Sequence, residues 1–166
     1  LARRQIDSGV HFLVPCGTTG ESPTLSTAEK LRIVELVVKA AAGRVPILAG
    51  AGGYDTHAVV ALAQEMVKRG ADGILSVTPY YNKPPQRGLV AHFERIADAT
   101  ELPIIAYNIP GRTATRIEHD TMLELAQRPN IVAVKDATGD FQGISRLISE
   151  APDGFEVYSG DDWATF

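Results

Sequence analysis

Ile131-Val132-Ala133-Val134-Lys135-Asp136 is a largely β-branched apolar run that ends abruptly in a lysine, and its reading decides the fold. It is nearly continuous rather than alternating, the pattern of a strand buried on both faces of a parallel sheet. The strand predicted from it covers Asn130–Lys135. Five more runs share its character, each bounded by Gly, Pro or Asp: Gly9–Cys16, Val45–Gly50, Asp72–Thr78, Pro103–Asn108 and Phe155–Gly160. Helical patterns fill the intervals. Ser26-Thr-Ala-Glu29 reads as a capping box ahead of Leu31, Val34, Val38 and Ala41, with the exit at Gly43. Asp55 or Thr56 can cap a second helix that stops at Gly70, and Pro85 suits the first turn of a third. A fourth is expected at about Ile117–Gln127 and a fifth at about Phe141–Glu150.

The order is β-α repeated, and strand centres recur about every 29 residues, the spacing of a (β/α) barrel unit. Eight such units need about 240 residues. The sequence supplies six, opens with what reads as the last turns of a helix (Leu1-Ala-Arg-Arg-Gln-Ile6), and stops at Phe166 early in a helix beginning near Asp162. The expectation is therefore an α/β chain holding strands 2 to 7 of a (β/α)8 barrel, residues 1–166 forming one partial catalytic domain. An open doubly wound sheet is the competing fold, since six parallel strands would suffice for it.

Composition narrows the function classes. Of 166 residues, 45% are hydrophobic and 22% charged, enough apolar material for a packed core. The net charge is −4 and no Lys/Arg cluster is longer than Arg3-Arg4, which argues against a nucleic-acid footprint. Apolar stretches such as Ala58 to Ala63 fall far short of the roughly 20 residues that span a bilayer, and no signal segment opens the chain, so a cytoplasmic location is expected. The single cysteine, Cys16, excludes an internal disulfide, and its apolar neighbours point to a buried inert thiol. His11, His57, His92 and His119 lack metal-ligand spacing, and Asp161-Asp162 reads as a helix cap rather than a magnesium site. No metal is expected.

In a parallel barrel, reactive groups lie at the C-terminal ends of strands. The first such end, Gly17-Thr18-Thr19-Gly20-Glu21-Ser22, is either a cradle for a small carboxylate or a tight strand-to-helix turn. Gly50-Ala-Gly52-Gly53 fails the dinucleotide pattern and reads as a turn. In Thr78-Pro-Tyr80-Tyr81-Asn82-Lys83-Pro84 the tyrosines can present hydroxyls at a site mouth or serve as core or interface aromatics. Tyr107-Asn108-Ile109-Pro110-Gly111-Arg112-Thr113 offers a proton donor/acceptor and a guanidinium able to hold a carboxylate through two parallel hydrogen bonds, or else a solvated arginine. Lys135 either points outward as a strand-end charge or faces the barrel interior. In the interior, burial would lower its pKa and free a neutral amine to form a Schiff base with a ketone.

Together, Gly17-Thr-Thr-Gly-Glu-Ser22, Thr78-Pro-Tyr-Tyr-Asn82, Tyr107-Asn-Ile-Pro-Gly-Arg-Thr113, Val134-Lys-Asp-Ala-Thr-Gly139 and Ser159-Gly-Asp-Asp162 resemble the dihydrodipicolinate synthase (4-hydroxy-tetrahydrodipicolinate synthase) family. That family belongs to the pyruvate-dependent class I aldolase (N-acetylneuraminate lyase) superfamily. The resemblance implies a TIM barrel whose first and eighth strands and C-terminal helical region are missing here. It implies condensation of pyruvate with aspartate 4-semialdehyde on the route to lysine, without a cofactor. By the same resemblance Lys135 forms the imine, Tyr107 moves protons, and Thr18 and Tyr81 complete a hydroxyl relay. The residue matching Tyr81 enters the neighbouring subunit's site, within a homotetramer built as a dimer of dimers. Thr18 and Thr19, in the turn opened by Gly17, would hold the pyruvate carboxylate, Arg112 the carboxylate of the second substrate, and the Gly160 carbonyl would lie near the enamine.

N-acetylneuraminate lyases and 2-keto-3-deoxy sugar-acid aldolases or dehydratases share the lysine and tyrosine but generally lack the arginine matched by Arg112. A catalytically silent barrel acting as a binding module is the alternative of another class, and it would be marked by loss of Lys135 or Tyr107. Lysine-inhibited relatives bind lysine with an Asn and a Glu whose places here are taken by Tyr54 and Ala58, and Lys30 would repel a cationic ligand. Weak or absent inhibition by lysine is expected.

Overall fold

The computed structural model describes residues 1–164. Five strands, β1 (Leu48–Gly50), β2 (Gly73–Val77), β3 (Ile104–Asn108), β4 (Ile131–Asp136) and β5 (Glu156–Ser159), are wrapped on one face by helices. The helices are α1 (Ala2–Asp7), α2 (Thr27–Ala41), α3 (Thr56–Lys68), α4 (Gln86–Ala97), α5 (Pro110–Thr113), α6 (His119–Leu125) and α7 (Phe141–Glu150), with single 3-10 turns at Thr18–Gly20, Ser22–Thr24 and Asp162–Ala164. The expected helix beginning near Asp162 is thus a 3-10 turn as far as Ala164, and Phe166 lies outside the described residues. Every pairing is parallel and the spatial order follows the chain, β1-β2-β3-β4-β5. A doubly wound sheet reverses its order at a switch point, and this progression has no reversal, so the architecture is that of a (β/α) barrel segment.

The run Gly9–Cys16, expected to be a strand, is a correction. It lies beside β1 in the strand position but is reduced to a single parallel bridge, Leu13 to Ile47, with Leu48 N donating to Leu13 O and Gly50 N to Pro15 O, both at 2.9 Å. Pro15 has no N–H to return, and Cys16 turns to a left-handed φ of 59°, so the ladder cannot propagate.

Helix starts follow local chemistry. The Ser26 hydroxyl accepts from Glu29 N at 3.3 Å while the Glu29 carboxylate accepts from Ser26 N at 2.8 Å, closing the capping box of α2. Asp55 accepts from His57 N and Ala58 N to start α3, and Asp140 from Gly143 N to start α7. Replacing Ser26 with alanine is expected to lower the stability of the complete protein by about 1 kcal/mol, read as a shift in its denaturant midpoint with activity retained. The fourth helix begins at His119 rather than Ile117, because the backbone N–H and C=O of Ile117 are both taken by the Asn108 side chain.

Two apolar layers flank the sheet. Ile74, Ile104, Ala106 and Val134 face the helices and pack with Val34, Met66, Phe93 and Leu147. Leu48, Leu75, Ile105, Tyr107 and Ala133 form the opposite, inner layer. Between β3 and β4 the register shifts: Ile104 pairs with Ile131 but Ile105 with Ala133, leaving Val132 as an extra residue. Ile131 and Val134 therefore both join the helix-side core, while Ala133 packs on the inner side. Lys135 consequently follows the inner phase, beside Tyr107. Bulges of this kind re-aim side chains next to sites. No described helix is long and apolar enough to cross a membrane.

Candidate active site

Val77, Tyr107, Lys135 and Tyr158 are successive register partners across β2 to β5, so one row crosses the C-terminal ends of the strands. Tyr107 is buried, and its backbone carbonyl accepts from Thr78 N at 3.0 Å and from the fully buried Thr78 hydroxyl at 2.8 Å. Its backbone is thereby fixed at the strand end. The half-buried Lys135 amine stands 4.3 Å from the centre of that ring. Burial pushes the lysine below its ordinary pKa, with the carboxylates of Asp161 and Asp162 pulling the other way. Burial likewise raises the Tyr107 phenol, a trend the Arg112 guanidinium opposes and Asp161 reinforces. The amine is thus eased toward its neutral, nucleophilic form beside a phenol that keeps its proton.

Next to this pair is a cavity of about 280 Å³ whose wall includes Gly17, Thr18, Tyr107 and Arg112, near the lower end for a small-molecule pocket. These four expected residues therefore converge on one space. Lys135 flanks it through the Tyr107 ring rather than forming its wall, and Gly160 sits behind Lys135: a Cβ there would lie 3.3 Å from Lys135 Cε and 2.7 Å from Ala137 Cβ. Thr19 is exposed and is not part of the wall. Tyr81, 88% exposed and at φ 70°, is not either, whereas Tyr80 is. Among the described residues no hydrogen bond joins the hydroxyls of Thr18, Tyr107 and Tyr81.

Reasoning from sequence missed several wall residues. Ser22, part of the expected cradle, reaches the cavity from the second 3-10 turn, while Lys30, from α2, was not expected there. Gly50 and Gly52, read as a turn, are sites of close packing: a Cβ on Gly50 would stand 2.2 Å from Cys16 O, and one on Gly52 2.5 Å from Val77 Cγ1. The glycines let the Cys16 turn and β2 close on the end of β1. Cys16 itself is buried, its thiol pushed up by desolvation, as expected of an inert cysteine, although it also lines the cavity.

The fold and these strand ends define a β/α-barrel segment of the type that carries a half-buried lysine beside a tyrosine at the mouth of a small pocket. Comparison with known proteins is specific. The chain belongs to the Dihydrodipicolinate synthetase family, whose model matches residues 1–166. It is 52% identical over 157 residues to the 4-hydroxy-tetrahydrodipicolinate synthase of Neisseria meningitidis, covering 95% of this chain and 54% of that protein. With the enzyme of the same name from Bacillus velezensis it shares 48% over 160 residues, 96% of this chain and 55% of the relative. Among solved structures, dihydrodipicolinate synthase of Bacillus anthracis superposes with a TM-score of 0.95 at 45% identity, covering 97% of this chain and 55% of the other. The Aquifex aeolicus enzyme gives 0.94 at 47% identity, with the same coverage of both chains. The chain thus spans about half the length of the relatives it matches.

Proposed function

We propose that the complete protein containing this chain condenses pyruvate with L-aspartate 4-semialdehyde to give 4-hydroxy-tetrahydrodipicolinate, in the cytoplasmic route to diaminopimelate and lysine. The observation that carries the reading is the half-buried Lys135 amine 4.3 Å from the Tyr107 ring, at adjacent strand ends. The neutral amine adds to the pyruvate ketone, water leaves, and the protonated imine becomes an electron sink. A methyl proton departs to give an enamine, whose carbon attacks the aldehyde carbon while the new alkoxide takes a proton. Tyr107 is the group placed to move these protons. The substrate's own amine then takes over the imine carbon and frees Lys135 as the ring closes. No metal or organic cofactor enters this chemistry.

Around that pair, Thr18 and Thr19, with the backbone of Gly17, hold the pyruvate carboxylate, Arg112 holds that of the second substrate, and the Gly160 carbonyl faces the enamine. Tyr81 is 88% exposed and stands outside the wall of its own cavity. Tyr81 fits insertion into a neighbouring copy, within a homotetramer in which each barrel is completed by a first and an eighth strand and followed by a C-terminal helical region. The test is intact mass and peptide mapping after incubation with pyruvate and borohydride, together with turnover on aspartate 4-semialdehyde. A pyruvyl adduct on Lys135 and turnover with that aldehyde are expected; no adduct on a folded oligomer would sink the assignment.

Lysine feedback should be weak or absent. Tyr54 packs edge-on against Tyr80, ring centres 5.4 Å apart, and also lies 6.5 Å from Tyr81, so an aromatic cluster occupies the position where lysine-sensitive relatives carry an amide. A lysine titration of turnover checks this, and half-inhibition at submillimolar lysine would refute it.

A further inference from the structure

We infer that Asn108 is a positioning residue for the second substrate: its buried amide fixes the footing of the Arg112 loop relative to Tyr107 and Lys135. The inference rests on the proposed role of Arg112 and deepens it. Tyr107 and Asn108 are neighbours on β3 and point to opposite faces, Tyr107 into the inner layer and Asn108 beneath the helices. Asn108 is 3% exposed. Its Nδ2 donates to Ile117 O and its Oδ1 accepts from Ile117 N, both at 3.0 Å, so a single side chain satisfies both backbone groups of a residue nine positions on. Its own carbonyl accepts from Ala137 N at 2.9 Å, just beyond Lys135. One residue thus touches the strand ends that carry the lysine and the tyrosine and also the far end of the loop that carries the arginine.

The loop has little freedom elsewhere. At its near end Ile109 O accepts from Arg112 N at 3.0 Å and Thr113 N at 3.1 Å, and the buried Thr113 hydroxyl lies within hydrogen-bond reach of Ile109 O and Thr115 O. Ala114 takes a left-handed φ of 53°, a conformation that persists only when its surroundings impose it. At the far end Gln86 donates to Arg116 O at 2.8 Å and accepts from Glu118 N at 3.0 Å, bracketing the residue that Asn108 holds. Arg112 itself is exposed at the cavity wall and its guanidinium makes no hydrogen bond among the described residues, so its place is set by its backbone. Fixing a loop at both ends puts the guanidinium where a carboxylate must sit for the aldehyde to meet the enamine.

The test uses the complete protein. Asn108→Ala is expected to raise KM for aspartate 4-semialdehyde about tenfold, while the rate of pyruvate adduct formation at Lys135 stays within about twofold of wild type. Combined with Arg112→Ala it should add little to the loss from Arg112→Ala alone, because both act through one contact. Gln86→Ala, at the half-buried outer footing, should shift the same KM about threefold and serves where Asn108→Ala does not fold. Equal changes for both substrates, additive losses in the double variant, or an unchanged aldehyde KM in Gln86→Ala would each overturn the inference, since a purely structural amide predicts them. Absence of any pyruvyl adduct on the wild-type protein would instead overturn the functional reading on which it stands.

Discussion

Lys135→Ala in the complete protein should abolish the borohydride-fixed pyruvyl adduct and cut turnover by at least about a thousandfold, roughly 4 kcal/mol of transition-state stabilisation. The expectation is large because alanine removes the atom proposed to form the covalent bond. The packing cost should be modest: the side chain is half-buried, and the Tyr107 it lies over keeps its backbone bonds to Thr78. A folded Lys135→Ala protein that still acquires the adduct would assign the imine to another lysine. Lys30 is the first to map, since it also lines the cavity.

Tyr107→Phe should lower turnover by about a hundredfold to a thousandfold, the usual worth of a positioned proton donor and acceptor. Phenylalanine keeps the ring under the amine and leaves the two bonds from Thr78 to the residue 107 carbonyl intact, since they reach the backbone. The thermal midpoint should therefore hardly move while both adduct formation and turnover fall. Burial raises the phenol above its ordinary value, so near neutral pH it is a donor first and becomes a base only with help from neighbouring hydroxyls. Turnover within threefold of wild type would remove Tyr107 from the proton path.

Much of this arrangement could be read from the sequence wherever the physics is local. Ser26, Asp55 and Asp140 reach backbone N–H groups within three residues, so the starts of α2, α3 and α7 are written in neighbouring letters. The strand-end position of Lys135 and the motif around Tyr107 and Arg112 were equally legible. Contacts distant along the chain were not. Hydropathy made Gly9–Cys16 a strand, but Pro15 and the turn at Cys16 reduced it to one bridge. The glycines at 50 and 52 looked like turn residues because the Cys16 carbonyl and Val77 that crowd them arrive from elsewhere. Lys30 gave no sign of facing a cavity, and the amide of Asn108 gave none of holding Ile117.

The extra residue at Val132 gives β4 two phases. Up to Ile131 the strand counts in step with the helix-side core, and after Val132 it counts in step with the inner row, so Lys135 owes its direction to a change of parity three residues earlier. Substitutions at 131, 132 or 133 alter packing, and losing the extra residue would leave a regular strand with Lys135 still opposite Tyr107, whereas flattening the bulge with all six residues kept would turn the amine toward the helices with every side chain of the site still present in the sequence. Where Lys135 points is specified by a count as much as by a letter.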